Sequence, residues 1–262
     1  MPNNIKKTLL LLNILLIISN IISCKEKSDV LKIASANLNY ANKNADKISD
    51  IILSLSPDII VLVEYTGSNI NIKKLLNQYK IVVEDKTGLA SGIAVFAKKA
   101  INIQGEIIPS PIKGSCCWKI ASVSLSLNNK QITIFGIHTP PPVGRCKEYN
   151  GLYIAKLHEW INRGKLKKNI GAGYKDDLVI LAGDFNAFSF NKYMKKFKKL
   201  GLVDSHTKRK TLYEPTWSPF DSDLKLLRID YIFISKYLNC LKSKTFIIPG
   251  SDHKGVIAEI EF

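Results

Sequence analysis

Apolar residues fall into short runs closed by polar residues, with amphipathic stretches between them. Leu31–Leu38, Ile59–Val63, Gly92–Ala97 and Leu178–Ala182 have the length and content of buried strands, the last ended by Gly183. Lys119–Leu127 and Gln131–Ile137 predict a hairpin with Asn128-Asn129 at its turn. Arg228–Ile234 and Thr245–Ile248 read as strands, and Val256, Ala258, Ile260 and Phe262 alternate in a closing one. Ala45, Ile48, Ile52 and Leu55 recur at helical spacing, and Pro57 helps to end that helix. Ile70–Tyr79 predicts a surface helix. Tyr153, Ile154, Leu157, Trp160 and Ile161 mark another helix, and Tyr193, Met194, Phe197 and Leu200 a further one. Gly171–Tyr174 reads as a loop leading to the strand at Leu178. No linker, repeat or low-complexity segment divides the chain.

Chemistry-bearing residues gather at the ends of these strands. Asp184 and Asn186 follow Leu178–Ala182, Glu64 follows Ile59–Val63, and His138 follows Ile137. Asn37 ends the first strand, Asp230 lies on Arg228–Ile234, and Asp252-His253 precedes the closing strand. Taken singly, each has a plainer reading: a turn for Gly183-Asp184-Phe185-Asn186, a solvated strand end for Glu64, a packing residue for His138. Together, two histidines, several carboxylates and two amides suit metal-assisted attack of water on a phosphodiester. Arg145, in the loop after Pro140-Pro141-Pro142, is a candidate phosphate clamp.

The N-terminus adds a different element. Lys6 and Lys7 precede an apolar run from Leu9 to Ile22, short for a membrane span. The run ends Ile21-Ile22-Ser23-Cys24, which resembles a bacterial lipoprotein signal. This resemblance implies cleavage after residue 23, lipidation of Cys24, a tether over 24–30, and a domain over 31–262; an uncleaved anchor and an ordinary secretory signal are the alternative readings of the segment. The formal charge of +16, carried mainly by lysine, suits nucleic acid, anionic lipid or a phosphorylated substrate. A coding bias toward Lys, Asn and Ile gives the same charge without a polyanion partner. Lys192, Lys195, Lys196, Lys198 and Lys199 form either a solvated helix face or part of a polyanion surface. Outside the cytoplasm, Cys116, Cys117, Cys146 and Cys240 allow three pairings. A bridge from the Cys116-Cys117 pair to Cys146 would brace the loop after His138.

Several stretches, in this order, resemble the endonuclease/exonuclease/phosphatase superfamily: Ile33–Asn37, Pro57–Glu64, Gly136–Thr139, Gly183–Asn186, Arg228–Tyr231 and Ser251–His253. The resemblance implies an α/β four-layer sandwich of two mostly antiparallel β-sheets flanked by helices. It implies Mg2+ or Mn2+, with Glu64 as principal ligand and Asn37 and Asp252 nearby. It implies that His253 is the general base or the electrostatic partner of the phosphate, and that Asp184 positions or deprotonates the water. Asp230 then orients neighbouring groups, while Asn186 and His138 stabilise developing charge or assist the leaving group. The tyrosine-containing motif of AP endonucleases is not evident in the loop after His138. Only Ala90 and Ser91 stand just before Gly92, where pancreatic-type enzymes carry the glutamate partner of the equivalent histidine.

The expectation is a monomeric, metal-dependent phosphodiester hydrolase, lipid-anchored in a bacterial cell envelope and facing outside the cytoplasm. A nuclease of low sequence specificity, with nucleic acid as substrate, is the first reading. An envelope phosphatase or phosphodiesterase acting on phospholipid or lipid pyrophosphate is the second. A non-catalytic surface-binding lipoprotein is the third.

Overall fold

The computed structural model describes residues 29–114, 116, 118–127, 129–162, 178–210, 213–218 and 224–262. The expected signal peptide, Cys24, most of the tether, Cys117, Asn128 and the loop at 171–174 lie outside the described residues.

The strands are β1 (Val30–Asn37), β2 (Ile59–Val63), β3 (Tyr79–Asp85), β4 (Ile93–Lys98), β5 (Ile103–Ile108) and β6 (Ile120–Leu127). They continue as β7 (Lys130–His138), β8 (Leu178–Asp184), β9 (Leu202–Asp204), β10 (Asp230–Ser235), β11 (Asn239–Ile247) and β12 (Lys254–Glu261). The helices are α1 (Ala45–Leu55), α2 (Ile72–Leu75), α3 (Tyr149–Asn162), α4 (Met194–Lys199) and α5 (Ser205–Arg209). Two six-stranded sheets result, one ordered β11-β12-β1-β2-β4-β3 and the other β5-β6-β7-β8-β10-β9.

Alternation along each strand builds the layers. In β1, Leu31 and Ile33 face the core between the sheets, whereas Ala36 faces the core under α1. That second core also takes Ile48 and Ile52 of α1 and Leu62 of β2. The other sheet presents Phe135, Leu181 and Tyr231 to Tyr153, Leu157 and Phe197 of α3 and α4. The order is helix, sheet, sheet, helix: the expected four-layer α/β sandwich.

Most neighbouring strands are antiparallel, but β1–β2 and β7–β8 are parallel. A parallel pair ends on one side of its sheet. Asn37 pairs with Val63, directly before Glu64, in one sheet, and His138 pairs with Asp184 in the other. The two parallel pairs therefore deliver their C-terminal ends to one rim.

The predicted helix over Ile70–Tyr79 is one short turn, α2, followed by β3. Tyr79 starts that strand because its buried hydroxyl donates to the Pro57 carbonyl at 2.8 Å, which fixes the chain against β2. Gly183 does not end its strand, since pairing with β7 and β10 runs on to Asp184. The last strand pair is longer than predicted, with β11 beginning at Asn239, and Arg228 lies outside β10. Its guanidinium instead makes a buried bidentate pair with Asp204, with Nη2 2.8 Å from Oδ1. Among the described residues, no helix is long and apolar enough to cross a membrane.

Candidate active site

Three strand ends reach the rim through backbone that side-chain-bearing residues seldom adopt. Asn39, Glu64 and Asn186 have φ of 60°, 53° and 47°. The left-handed turn breaks each strand and swings the following groups inward; such conformations need support from their surroundings. Asn69 supplies it after β2, its Nδ2 donating to the Glu64 carbonyl at 2.7 Å and to the Asn39 carbonyl at 3.2 Å.

Asn37 joins the two sheets. Its Nδ2 lies 3.1 Å from Glu64 Oε1, 3.1 Å from Asp184 Oδ2 and 3.5 Å from His253 Nε2. Its Oδ1 accepts from the Asn39 N–H at 3.0 Å. The second oxygen of Glu64 accepts from the Tyr40 N–H at 3.0 Å. Asp252 stands on the exposed side, where Oδ1 accepts from Asn39 Nδ2 at 3.2 Å and Oδ2 from Trp217 Nε1 at 3.1 Å.

His253 is the electrostatic centre. Its Nδ1 lies 2.9 Å from Asp230 Oδ2, and its Nε2 lies 3.9 Å from both Asp184 Oδ2 and Asp252 Oδ2. Burial opposes charge on the ring, but the Asp230 and Asp184 carboxylates outweigh it and push the pKa up to about 10. The imidazolium thus points one N–H at Asp230 and leaves Nε2 toward the rim. Burial acts on Asp184 to raise its pKa, yet its surroundings hold the carboxyl below the usual range. The positive His253 beside it, with His138 within reach of Oδ2, does this, and the Asn186 N–H donates to Oδ1 at 2.8 Å. Asn186 Nδ2 adds a bond to Oδ2 at 3.1 Å. Asp230, opposite Asp184 in the β8–β10 register, is shifted the other way, by burial and by the neighbouring Asp184 charge.

His138 is buried, with Nε2 3.5 Å from Asp184 Oδ2. Its ring rests on Trp118, with centroids 4.2 Å apart, and its Nδ1 has no hydrogen-bond partner in the structure. Among the described residues, the missing glutamate before Gly92 is therefore not replaced by another acceptor. The Cys116–Cys146 disulfide ties the loop before Trp118 to the turn after the three prolines. Arg145 sits exposed in that turn, Gly144–Cys146, apart from the hydrogen-bonded set.

Four residues of this site carry no periodic signal. Asn150 of α3 donates from Nδ2 to Thr139 Oγ1 and to the Pro140 and Phe185 carbonyls at 2.9–3.1 Å, locking the β7 and β8 exits together. Thr216 Oγ1 accepts from the Asp230 N–H at 3.2 Å. Trp118 and Trp217 are two of only three tryptophans in the chain, the one compositional hint to their places.

Two groupings offer donors to a cation. The ligand atoms of Asp184, Asp230 and His253 lie within 4.8 Å of one another, but the Asp230–His253 hydrogen bond already occupies two of them. Glu64, Asn37 and Asp252 offer hard oxygen donors nearer the exposed side, the chemistry that suits magnesium or manganese. Asn37 would present Oδ1 by turning its amide over, giving up the bond from the Asn39 N–H and its own Nδ2 bonds to Glu64 and Asp184. We favour this second grouping because it leaves the Asp230–His253 pair intact.

The model of the Endonuclease/Exonuclease/phosphatase family matches residues 34–253. Truncated TDP2 from Caenorhabditis elegans is similar in fold, with 17% identity, a TM-score of 0.69, and coverage of 89% of this chain and 98% of that one. D. rerio TDP2 complexed with single strand DNA product has 18% identity and a TM-score of 0.69, covering 89% and 100% of the two chains. A mannosyl-6-phosphatase from Bacteroides thetaiotaomicron has 19% identity and a TM-score of 0.65, covering 88% and 100%. No curated protein matches the chain.

Proposed function

The chain belongs to the endonuclease/exonuclease/phosphatase family, and on that premise we propose that it is a divalent-metal-dependent phosphodiester hydrolase, a nuclease of low sequence specificity. The observation that carries this reading is His253, clamped by Asp230 and Asp184 beside the Glu64–Asn37 pair. Glu64, Asn37 and Asp252 would hold the cation. When bound, it supplies Lewis-acid polarisation of the phosphate. Asp184 positions the attacking water or takes its proton. The Asp230-oriented imidazolium of His253 offers Nε2–H to the charge that builds on the phosphoryl oxygens. Asn186 and His138, which flank Asp184, steady the same charge or assist the departing oxygen. Arg145 meets phosphate farther along the substrate.

The basic chain and the single-strand DNA product carried by one fold relative favour nucleic acid. The mannosyl-6-phosphatase relative supports the second reading, a phosphatase or phosphodiesterase that works on a phosphorylated lipid or small ester. Full-length protein in neutral detergent is expected to nick supercoiled plasmid in magnesium. Glu64→Gln is expected to raise the magnesium concentration for half-maximal nicking by about tenfold or more. Intact plasmid beside phosphate release from a lipid or sugar phosphate would move the assignment to the phosphatase. An unchanged magnesium titration would remove Glu64 from the ligand set.

The place of action follows from the N-terminus. We infer a lipid-anchored monomer in a bacterial envelope, facing outside the cytoplasm, with Cys24 as the acylated residue. Cys24→Ser is expected to abolish metabolic labelling by a fatty-acid analogue, and persistent labelling would refute the anchor.

A further inference from the structure

A second, basic cavity lies away from the rim. It has a volume of about 640 Å3 and is lined by five cations, Lys32, Arg209, Lys210, Lys242 and Lys244, against one carboxylate, Glu259. The pairing register explains the grouping. Lys32 is opposite Glu259, and Glu259 is opposite Lys242, so the three side chains form one row across β1, β12 and β11. Lys244 and Ile257 form the next row. This face points away from the inter-sheet core, because the intervening Ile33 and Ala258 point into it. The end of α5 brings Arg209 and Lys210 to the cavity over the β11 edge.

The one carboxylate is already shared. Glu259 lies 3.8 Å from Lys32 Nζ and 3.2 Å from Lys242 Nζ, and Lys32 Nζ also donates to the Leu55 carbonyl at 3.1 Å. Among the described residues, no ion pair compensates Arg209, Lys210 or Lys244, which are all exposed. Leu55 and Ile257 give the cavity apolar walls. A concave site with several uncompensated cations and some apolar surface suits an anion that carries an apolar body.

The cavity is not an extension of the active site. Lys32 precedes Asn37 by five residues on β1, about 17 Å along the strand, and the two side chains point to opposite faces. It lies instead beside the start of β1, with Val30 only two residues before Lys32. Val30 is six residues after Cys24, a reach of at most about 22 Å.

We propose that this cavity binds a phosphate-bearing anion, presented either by the headgroup of an anionic phospholipid or by a free phosphate in solution. The anion chemistry rests on the lining alone; the lipid source draws on the anchor at Cys24. A headgroup held here would turn the start of β1 to the membrane and the catalytic rim away from it.

The test titrates full-length protein in neutral detergent, without divalent metal, with inorganic phosphate and with dihexanoyl phosphatidylglycerol, read by calorimetry. At least one ligand is expected to bind saturably, and the Arg209→Gln/Lys244→Gln variant to bind it at least about tenfold more weakly. Phosphatidylglycerol alone would identify a headgroup site; equal binding of both would identify a site for phosphate as such. The variant is expected to keep the wild-type melt and the wild-type rate on bis(4-nitrophenyl) phosphate. If it melts early, Lys210→Gln/Lys244→Gln takes its place. Equal binding by variant and wild type, or no saturable binding of either ligand, overturns the proposal. Loss of single-stranded oligonucleotide binding with both phosphate titrations unchanged also overturns it, in favour of a nucleic-acid surface. Because binding is read without turnover, an inactive protein leaves this result intact.

Discussion

His253→Ala is expected to lower kcat on a phosphodiester by about a thousandfold and to leave KM nearly unchanged. The ring is buried and its Nδ1 is committed to Asp230 at 2.9 Å, so Nε2 is the atom left for the substrate. A group that meets charge developing in the transition state raises kcat more than it tightens substrate binding. The fold is expected to survive. Asp230 is already shifted toward its neutral form by burial and by Asp184, so it takes up a proton when the imidazolium is gone. Asp184 keeps its bonds from Asn186. Asp230→Asn gives a smaller loss, about tenfold to a hundredfold, because the amide still orients the ring while the second carboxylate is lost. Steady-state kinetics of both variants, beside their thermal melts, check the argument. A His253→Ala enzyme within tenfold of wild type would remove the imidazole from the chemistry.

The strand ends that carry this chemistry were legible because each follows a short apolar run. Glu64 after Ile59–Val63 and Asp184 after Leu178–Ala182 needed only local pattern. Their convergence was not legible locally. It depends on two parallel pairings, β1–β2 and β7–β8, between segments tens of residues apart. The family resemblance supplied the four-layer frame that periodicity could not. β5 escaped notice because three of its six residues are exposed, which leaves no apolar run. The Ile70–Tyr79 reading failed for a related reason. Ile70, Ile72 and Leu75 do pack inward, but Tyr79 belongs to an edge strand set by pairing with β4. Asn150, Thr216 and Trp217 act through single polar atoms on backbone distant in sequence, a role that no periodicity records.

Gly183 links fold and site, and Gly183→Ala is expected to damage both. A Cβ at this position would stand 1.7 Å from the Ile137 carbonyl oxygen and 2.7 Å from its carbon. These are backbone atoms of β7, directly opposite in the β7–β8 register, so no side-chain rotation can make room. The φ of +151° adds strain for any residue with a side chain. Relief requires β8 to move from β7 where His138 and Asp184 are paired. A steric change of this kind belongs with the largest single-residue effects, about 4 kcal/mol or more. In a domain of this size that lowers Tm by roughly 8–16 °C. Activity falls as well, because Asp184 loses its place against Asn37 and His138. The turn reading of Gly183-Asp184-Phe185-Asn186 predicts less, since an exposed turn absorbs an alanine at about 1 kcal/mol. A melt within about 2 °C of wild type, with activity retained, would mean that β7 and β8 do not approach this closely.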